Sequence, residues 1–294
     1  MELERYLSVS PRVLVHYRVT PPAVTAPDVL TLVLIHGVAS NLTRWTEFLH
    51  NTSLKKKFRI IRLDLRGHAR SQSDIGIGMK NWCKDVIAVL DNEQIQQAII
   101  VGHSLGAQVG LNLANRYPNR VSGIVLIDPV IPSALKGYMA FGRHIRWLLS
   151  AIADAGSFLR RIGVGKKTFP IRDLNVLDRV TRKKIADDDS TDLASLYHSP
   201  SADRLFIPIP NYVRDMCEVL RPLPPLTQID MPALTILAKD PSLSDASKNE
   251  MVMRTLPNNT ITIIDADHWP LTEKPNETRE AIEQWCLNQA APAK

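Results

Sequence analysis

Long apolar runs are missing from this chain. No stretch approaches the roughly 20 consecutive apolar residues of a bilayer-spanning helix, so a membrane-spanning protein is not expected. An apolar leader is missing as well. Met1-Glu2-Leu3-Glu4-Arg5-Tyr6 is charged and has no signal-peptide core. Cysteine is scarce: Cys83, Cys217 and Cys286 are far apart and odd in number. That excludes a disulfide framework, and the spacing is too wide for a zinc site. Reduced thiols and a cytoplasmic location are the expectation. No compact Lys/Arg block with interleaved aromatics stands out, and a net charge of +6 is mild for 294 residues, so no nucleic-acid partner is expected. Internal repeats and low-complexity segments are absent too.

What remains is an ordinary globular composition, 45% hydrophobic and 22% charged, enough for one large domain or a domain with an insertion. The chain is organised around Ile99-Ile100-Val101-Gly102-His103-Ser104-Leu105-Gly106-Ala107. An apolar β-branched run reads as a buried strand, then turns through two glycines around one serine into a helical pattern. This is G-x-S-x-G between a strand and a helix, which points to a serine nucleophile on a strained turn. Residues two before and two after the serine must be small to avoid collision. The helix N-terminus offers unpaired N–H groups to a developing oxyanion.

Around this stretch, apolar strands alternate with helices. Expected strands lie near 7–10, 13–19, 30–35, 58–65, 99–103, 123–128, 233–238 and 260–264, the first two as an antiparallel edge hairpin. The rhythm implies a doubly wound, mostly parallel α/β sheet covered on both faces. It breaks between 133 and 221, where the pattern is helical: Leu135 to Ala155 and on toward Ile162, then pieces near 176–198 and 211–220. The expected organisation is a core of residues 1–132 and 222–294 with a helical insertion over 133–221.

A serine hydroxyl needs a base, and the base needs a carboxylate to fix its tautomer. Sites in such sheets form at the carboxyl ends of strands. Of eight histidines, only His268 follows both the serine and an acid at a strand end. Asp240 is the preferred acid because Ser, Asp, His is the chain order the elbow predicts. Asp128, directly after the 123–127 strand, and Asp245 compete with it. Asp265 and Asp267 are too close in sequence to orient the His268 ring. The oxyanion donors are expected to be the N–H of Leu105 and the N–H of Val38, on the loop that Gly37 turns.

These residues resemble the α/β-hydrolase superfamily. Leu34-Ile35-His36-Gly37 is similar to its oxyanion loop, Leu63-Asp64-Leu65-Arg66-Gly67-His68-Ala69-Arg70-Ser71 to its polar loop, and Gly102-His103-Ser104-Leu105-Gly106 to its elbow. Asp240-Pro241 resembles the acid turn, and His268-Trp269-Pro270-Leu271 with Glu273 and Pro275 the histidine loop. Ala69 and Asp267 stand where the superfamily usually has glycine. The second puts a carboxylate beside the base, where it would raise the pKa of His268 or order the loop differently.

The resemblance implies an inserted helical cap and a serine hydrolase of a carboxylic ester or lactone that uses neither cofactor nor metal. Its partner would be a small-molecule ester-like substrate. Amide or C–C bond hydrolysis, lyase or perhydrolase chemistry, and a non-catalytic ligand receptor share the fold. Specificity would come from the insertion and from Trp45 and Trp269, if these do more than pack. Tyr138 to Leu149 combines large apolar groups with cations, followed by Arg160, Arg161, Lys166 and Lys167. The preferred reading is a cap helix that buries its apolar face over the site. Contact of Phe141, Trp147 and Leu148 with a membrane surface is the second reading. Oligomeric state is not legible.

Overall fold

The alternating strand and helix patterns close into one eight-stranded sheet in the computed structural model, which describes residues 1–24, 29–165, 168–187, 197 and 200–290. Lys166, Lys167 and His198 lie outside the described residues. In chain order the elements are β1 (Leu3–Ser10), β2 (Val13–Thr20), β3 (Thr31–Ile35), α1 (Thr46–Asn51), β4 (Arg59–Leu63), α2 (Met79–Asn92), β5 (Ala98–His103), α3 (Leu105–Arg116) and β6 (Val121–Ile127). Then come α4 (Gly137–Gly142), α5 (Arg146–Arg161), α6 (Leu174–Asp187), α7 (Pro200–Asp203) and α8 (Ile209–Val219). The chain returns through β7 (Ala233–Ala238), α9 (Ala246–Met253), β8 (Asn259–Ile264), α10 (Pro270–Glu273) and α11 (Pro275–Gln289).

The strand order is β1-β2-β4-β3-β5-β6-β7-β8. The β1/β2 hairpin is antiparallel and meets β4 antiparallel; every later pairing is parallel. Period-two alternation divides the apolar side chains between two layers. Val33, Ile35, Ile100 and Leu126 face α2 and α3 with Trp82, Val86 and Leu111. Leu32, Leu34, Val101 and Ile236 face the other way, onto Trp45, Phe48 and the α11 residues Ile282 and Trp285. Each large side chain buried in this way stabilises the fold by about 1.5–3 kcal/mol. Both faces are covered, which is why the inner strands read as continuous apolar runs. Trp45 is fully buried in this layer, a packing role.

Among the described residues, the segment between β6 and β7 forms helices and one isolated bridge, Leu135 to Ser244. The continuous helix expected from Leu135 toward Ile162 is instead two, α4 and α5. The break follows Gly142, a poor helix residue. The preferred reading of this segment is also corrected. α5 buries Ala153 and Ser157 against its neighbours and leaves its large apolar side chains outside.

Candidate active site

The strand ends do the assembling. Ser104 follows β5, Asp128 follows β6, and His268 lies on the loop after β8. The turn at Ser104 is tight. Its φ is 55°, in the positive region that costs a non-glycine residue about 1–3 kcal/mol. A Cβ on Gly102 would sit 2.2 Å from the Gly106 carbonyl oxygen, and one on Gly106 2.3 Å from the Ile35 carbonyl oxygen. The first collision is across the turn, as the sequence suggests. The second is with β3, so the elbow is wedged against the neighbouring strand.

His268 joins the other two residues. Its Nε2 lies 2.9 Å from Ser104 Oγ, and its Nδ1 2.6 Å from Asp128 Oδ2. Asp128 is fixed by a second bond, because its Oδ1 accepts the Ala238 N–H at 3.1 Å. All three side chains are buried, so the contacts are little screened.

Asp240, the preferred acid, is not part of this chain of contacts. It lies two residues beyond β7 with its side chain exposed, and His268 Nδ1 is already taken by Asp128. β6 lies directly beside β5, whereas β7 is one strand further away and the residues that follow it, Lys239 and Asp240, are exposed. Asp245 caps α9 by accepting the Lys248 N–H at 3.0 Å. Asp265 pairs with Lys239 at the surface.

Asp267 orders the histidine loop. Its Oδ1 accepts the His268 N–H at 2.7 Å and the Ser242 N–H at 2.8 Å, tying that loop to the turn that carries Asp240. Ala69 takes a φ of 39°, the region glycine favours.

Leu105 opens α3, so its N–H is one of the donors the helix itself leaves unpaired. Val38 and Ser104 line one cleft that opens to solvent. Leu135 and Met139 give the cleft an apolar wall, and Trp269 stacks on Tyr197 at its edge, ring centroids 5.3 Å apart.

Three histidines set aside on sequence position hold the loops around this cleft. His36 donates from Nδ1 to the Gly37 carbonyl at 2.8 Å and accepts the Leu65 N–H on Nε2 at 3.0 Å. Only the neutral ring satisfies both, and burial, reinforced by nearby His68, pushes its pKa down to about 3. His103 Nε2 lies 2.8 Å from the His268 carbonyl and ties the elbow to the histidine loop; burial holds its pKa well below the ordinary value. Burial opposes the charge on His68, but the Asp215 carboxylate 2.8 Å away prevails and its pKa is raised.

Arg44 was missed entirely. It lines the cleft, bonds Asp178 at 2.5 Å and Thr272 at 2.8 Å, and lies over the Tyr197 ring. These partners are 134 to 228 residues away in sequence, and no local pattern announces them. Among the described residues, no group of three or more His, Cys, Asp or Glu side chains could hold a metal ion.

The model of the alpha/beta hydrolase family matches residues 32–281. The uncharacterized hydrolase YugF of Bacillus subtilis (strain 168) is 27% identical over 267 residues, 87% of this chain and 89% of that protein. The dihydrolipoyllysine-residue acetyltransferase component of the acetoin cleaving system of Pseudomonas putida is 34% identical over 121 residues. That match spans 41% of this chain but only 31% of that longer protein. Among solved structures, the enol-lactonase from Burkholderia xenovorans LB400 superposes with a TM-score of 0.69 at 17% identity, over 96% of this chain and 100% of that one. A thermophilic esterase from Thermogutta terrifontis gives 0.68 at 19% identity, over 99% and 100%. At such identities the likeness is one of fold.

Proposed function

The chain belongs to the alpha/beta hydrolase family, and from that premise we propose that it is a cofactor-independent serine hydrolase cleaving a carboxylic ester or lactone. The observation that carries this reading is the buried run of contacts Ser104–His268–Asp128, at 2.9 and 2.6 Å.

In this reading His268 Nε2 takes the Ser104 proton as Oγ bonds to the carbonyl carbon. The Val38 and Leu105 amides donate to the oxyanion. When the tetrahedral adduct collapses, the C–O bond breaks and His268 returns the proton to the leaving alkoxide. For a lactone, the new hydroxyl stays on the acyl group. Water then gives a proton to His268 as it attacks the acyl carbon; the bond from that carbon to Oγ breaks, His268 returns the proton to Oγ, and the acid leaves with Ser104 restored. Asp128 holds Nδ1–H in place and stabilises the imidazolium, the role expected of Asp240 from chain order. In this reading residues 133–221 are the cap, and among their described residues Leu135, Met139 and Tyr197 line the cleft. The named relatives support ester and lactone chemistry as analogy only.

Two measurements test this. An organophosphonate should add one adduct per chain, on Ser104, by intact mass and peptide mapping, and Ser104→Ala should take none. A panel of short-chain esters, lactones, amides and C–C bond substrates should give turnover on the first two classes. Turnover only on amides or on a C–C substrate would replace the ester assignment. A chain that turns over nothing and takes no phosphonate would be a ligand receptor.

A further inference from the structure

α5 is amphipathic with its apolar face turned outward. At 3.6 residues per turn, Trp147, Leu148, Ile152, Phe158 and Leu159 fall within an arc of about 140°. Ile162 continues the same face past the helix end. Trp147 is 71% exposed, Phe158 58% and Ile162 61%. The opposite side packs on α8 through Ala153 and Ser157, with Arg214 bonded to Ser150. Phe141, 64% exposed, extends the apolar surface onto α4. An outward face this apolar marks an interaction site.

Charge identifies what it meets. Residues 133–172 hold eight Lys and Arg (Lys136, Arg143, Arg146, Arg160, Arg161, Lys166, Lys167, Arg172) against one acid, Asp154. That is 8 − 1 = +7, whereas the whole chain carries +6, so all its excess positive charge sits in this stretch. A groove along the flank of α5 repeats the bias. Its three acids are already paired, Asp74 with Arg160, Asp154 with Arg214 and Glu218 with Arg221. Lys80, Arg116 and Arg161, which share the groove, make no ion pair among the described residues. A second copy of this face would bring two cationic surfaces together. An anionic bilayer satisfies both features, taking the apolar ridge into its acyl boundary and the cations at its headgroups.

We propose that α5 and the α4 turn form a membrane-surface docking face for anionic lipid. No helix of the described residues is long and apolar enough to cross a membrane, so the contact is peripheral. α5 lies one helix from the cleft, since Met216 and Val219 of α8 line it, whereas α4 reaches the cleft wall through Met139. The proposal does not depend on the serine chemistry, because binding alone reads it out.

The test is co-sedimentation of the full chain with vesicles of 70:30 phosphatidylcholine and phosphatidylserine, against pure phosphatidylcholine. The bound fraction should require the anionic lipid and weaken as salt screens the surface charges. It should fall by about tenfold or more in Lys80→Glu/Arg161→Glu, which reverses two of the side-chain cations placed at the headgroups. It should also fall in Trp147→Glu/Phe158→Glu, with an unchanged urea unfolding midpoint in both variants as the control for folding. A chain that stays in the supernatant with anionic vesicles at low salt overturns the proposal. So does equal binding to both vesicle types. A concentration-dependent dimer that Trp147→Glu/Phe158→Glu dissociates, without vesicle binding, would assign the face to a second copy instead.

Discussion

His36 shows how one side chain can hold a loop and set a pH limit. Its ring donates to Gly37 and accepts from Leu65, and both bonds exist only while it is neutral. A folded-state pKa near 3, against an ordinary 6.5, means the unfolded chain binds a proton that the folded chain refuses. The contribution to stability is therefore complete above pH 6.5 and is lost as pH falls toward 3. His36→Gln keeps an acceptor near the Leu65 N–H but does not titrate. Its unfolding free energy, measured with urea from pH 6 to pH 4, should fall less steeply than that of the wild type. The difference should be up to one proton, at most about 1.4 kcal/mol per pH unit. Identical slopes would remove His36 from the acid sensitivity. His36 is legible in the sequence as part of a tight turn after β3. Its partner Gly37 is the next residue, but Leu65 is not legible, because it lies 29 residues further on. Asp128 was visible as a carboxylate ending a buried strand. What sequence could not supply was that β7 turns Asp240 outward while the Ala238 N–H fixes Asp128.

At the scale of elements, the elbow depends on β3 as much as on its own glycines. A methyl group at Gly106 would have to displace the Ile35 and His36 carbonyls, at 2.3 and 2.7 Å, and these are backbone atoms that cannot swing aside. Gly106→Ala should destabilise the fold by at least about 3 kcal/mol, read as a lowered urea midpoint, and phosphonate labelling of any folded fraction should fall with it. Wild-type stability and labelling would show that the wedge is not needed. The elbow was plain in the sequence because strand, glycines and helix are contiguous. α5 was legible as an amphipathic helix, but not which way it faces. Its inner side is small, Ala153 and Ser157, and a hydrophobic pattern alone assigns the inside to the large residues.

At the scale of the molecule, one sheet brings His268 to Ser104 across 164 positions of sequence. Ser104 comes from β5, Asp128 from the adjacent β6, and His268 from β8, with Asp267 and His103 tying the loops to one another. The doubly wound architecture was readable from alternating strands and helices, since each buried strand announces itself by continuous apolar residues. Which carboxylate meets the His268 ring depends on strand order in space, which only the closed sheet reveals. Comparing Asp128→Asn with Asp240→Asn in turnover of a short-chain ester tests the central claim most directly. An amide at the orienting position leaves the ring in the wrong tautomer, so Asp128→Asn should lower kcat by about 10²- to 10⁴-fold with little change in KM. Asp240→Asn, exposed and away from the ring, should stay within about twofold of wild type. A crippled Asp240→Asn beside a nearly intact Asp128→Asn would contradict the account.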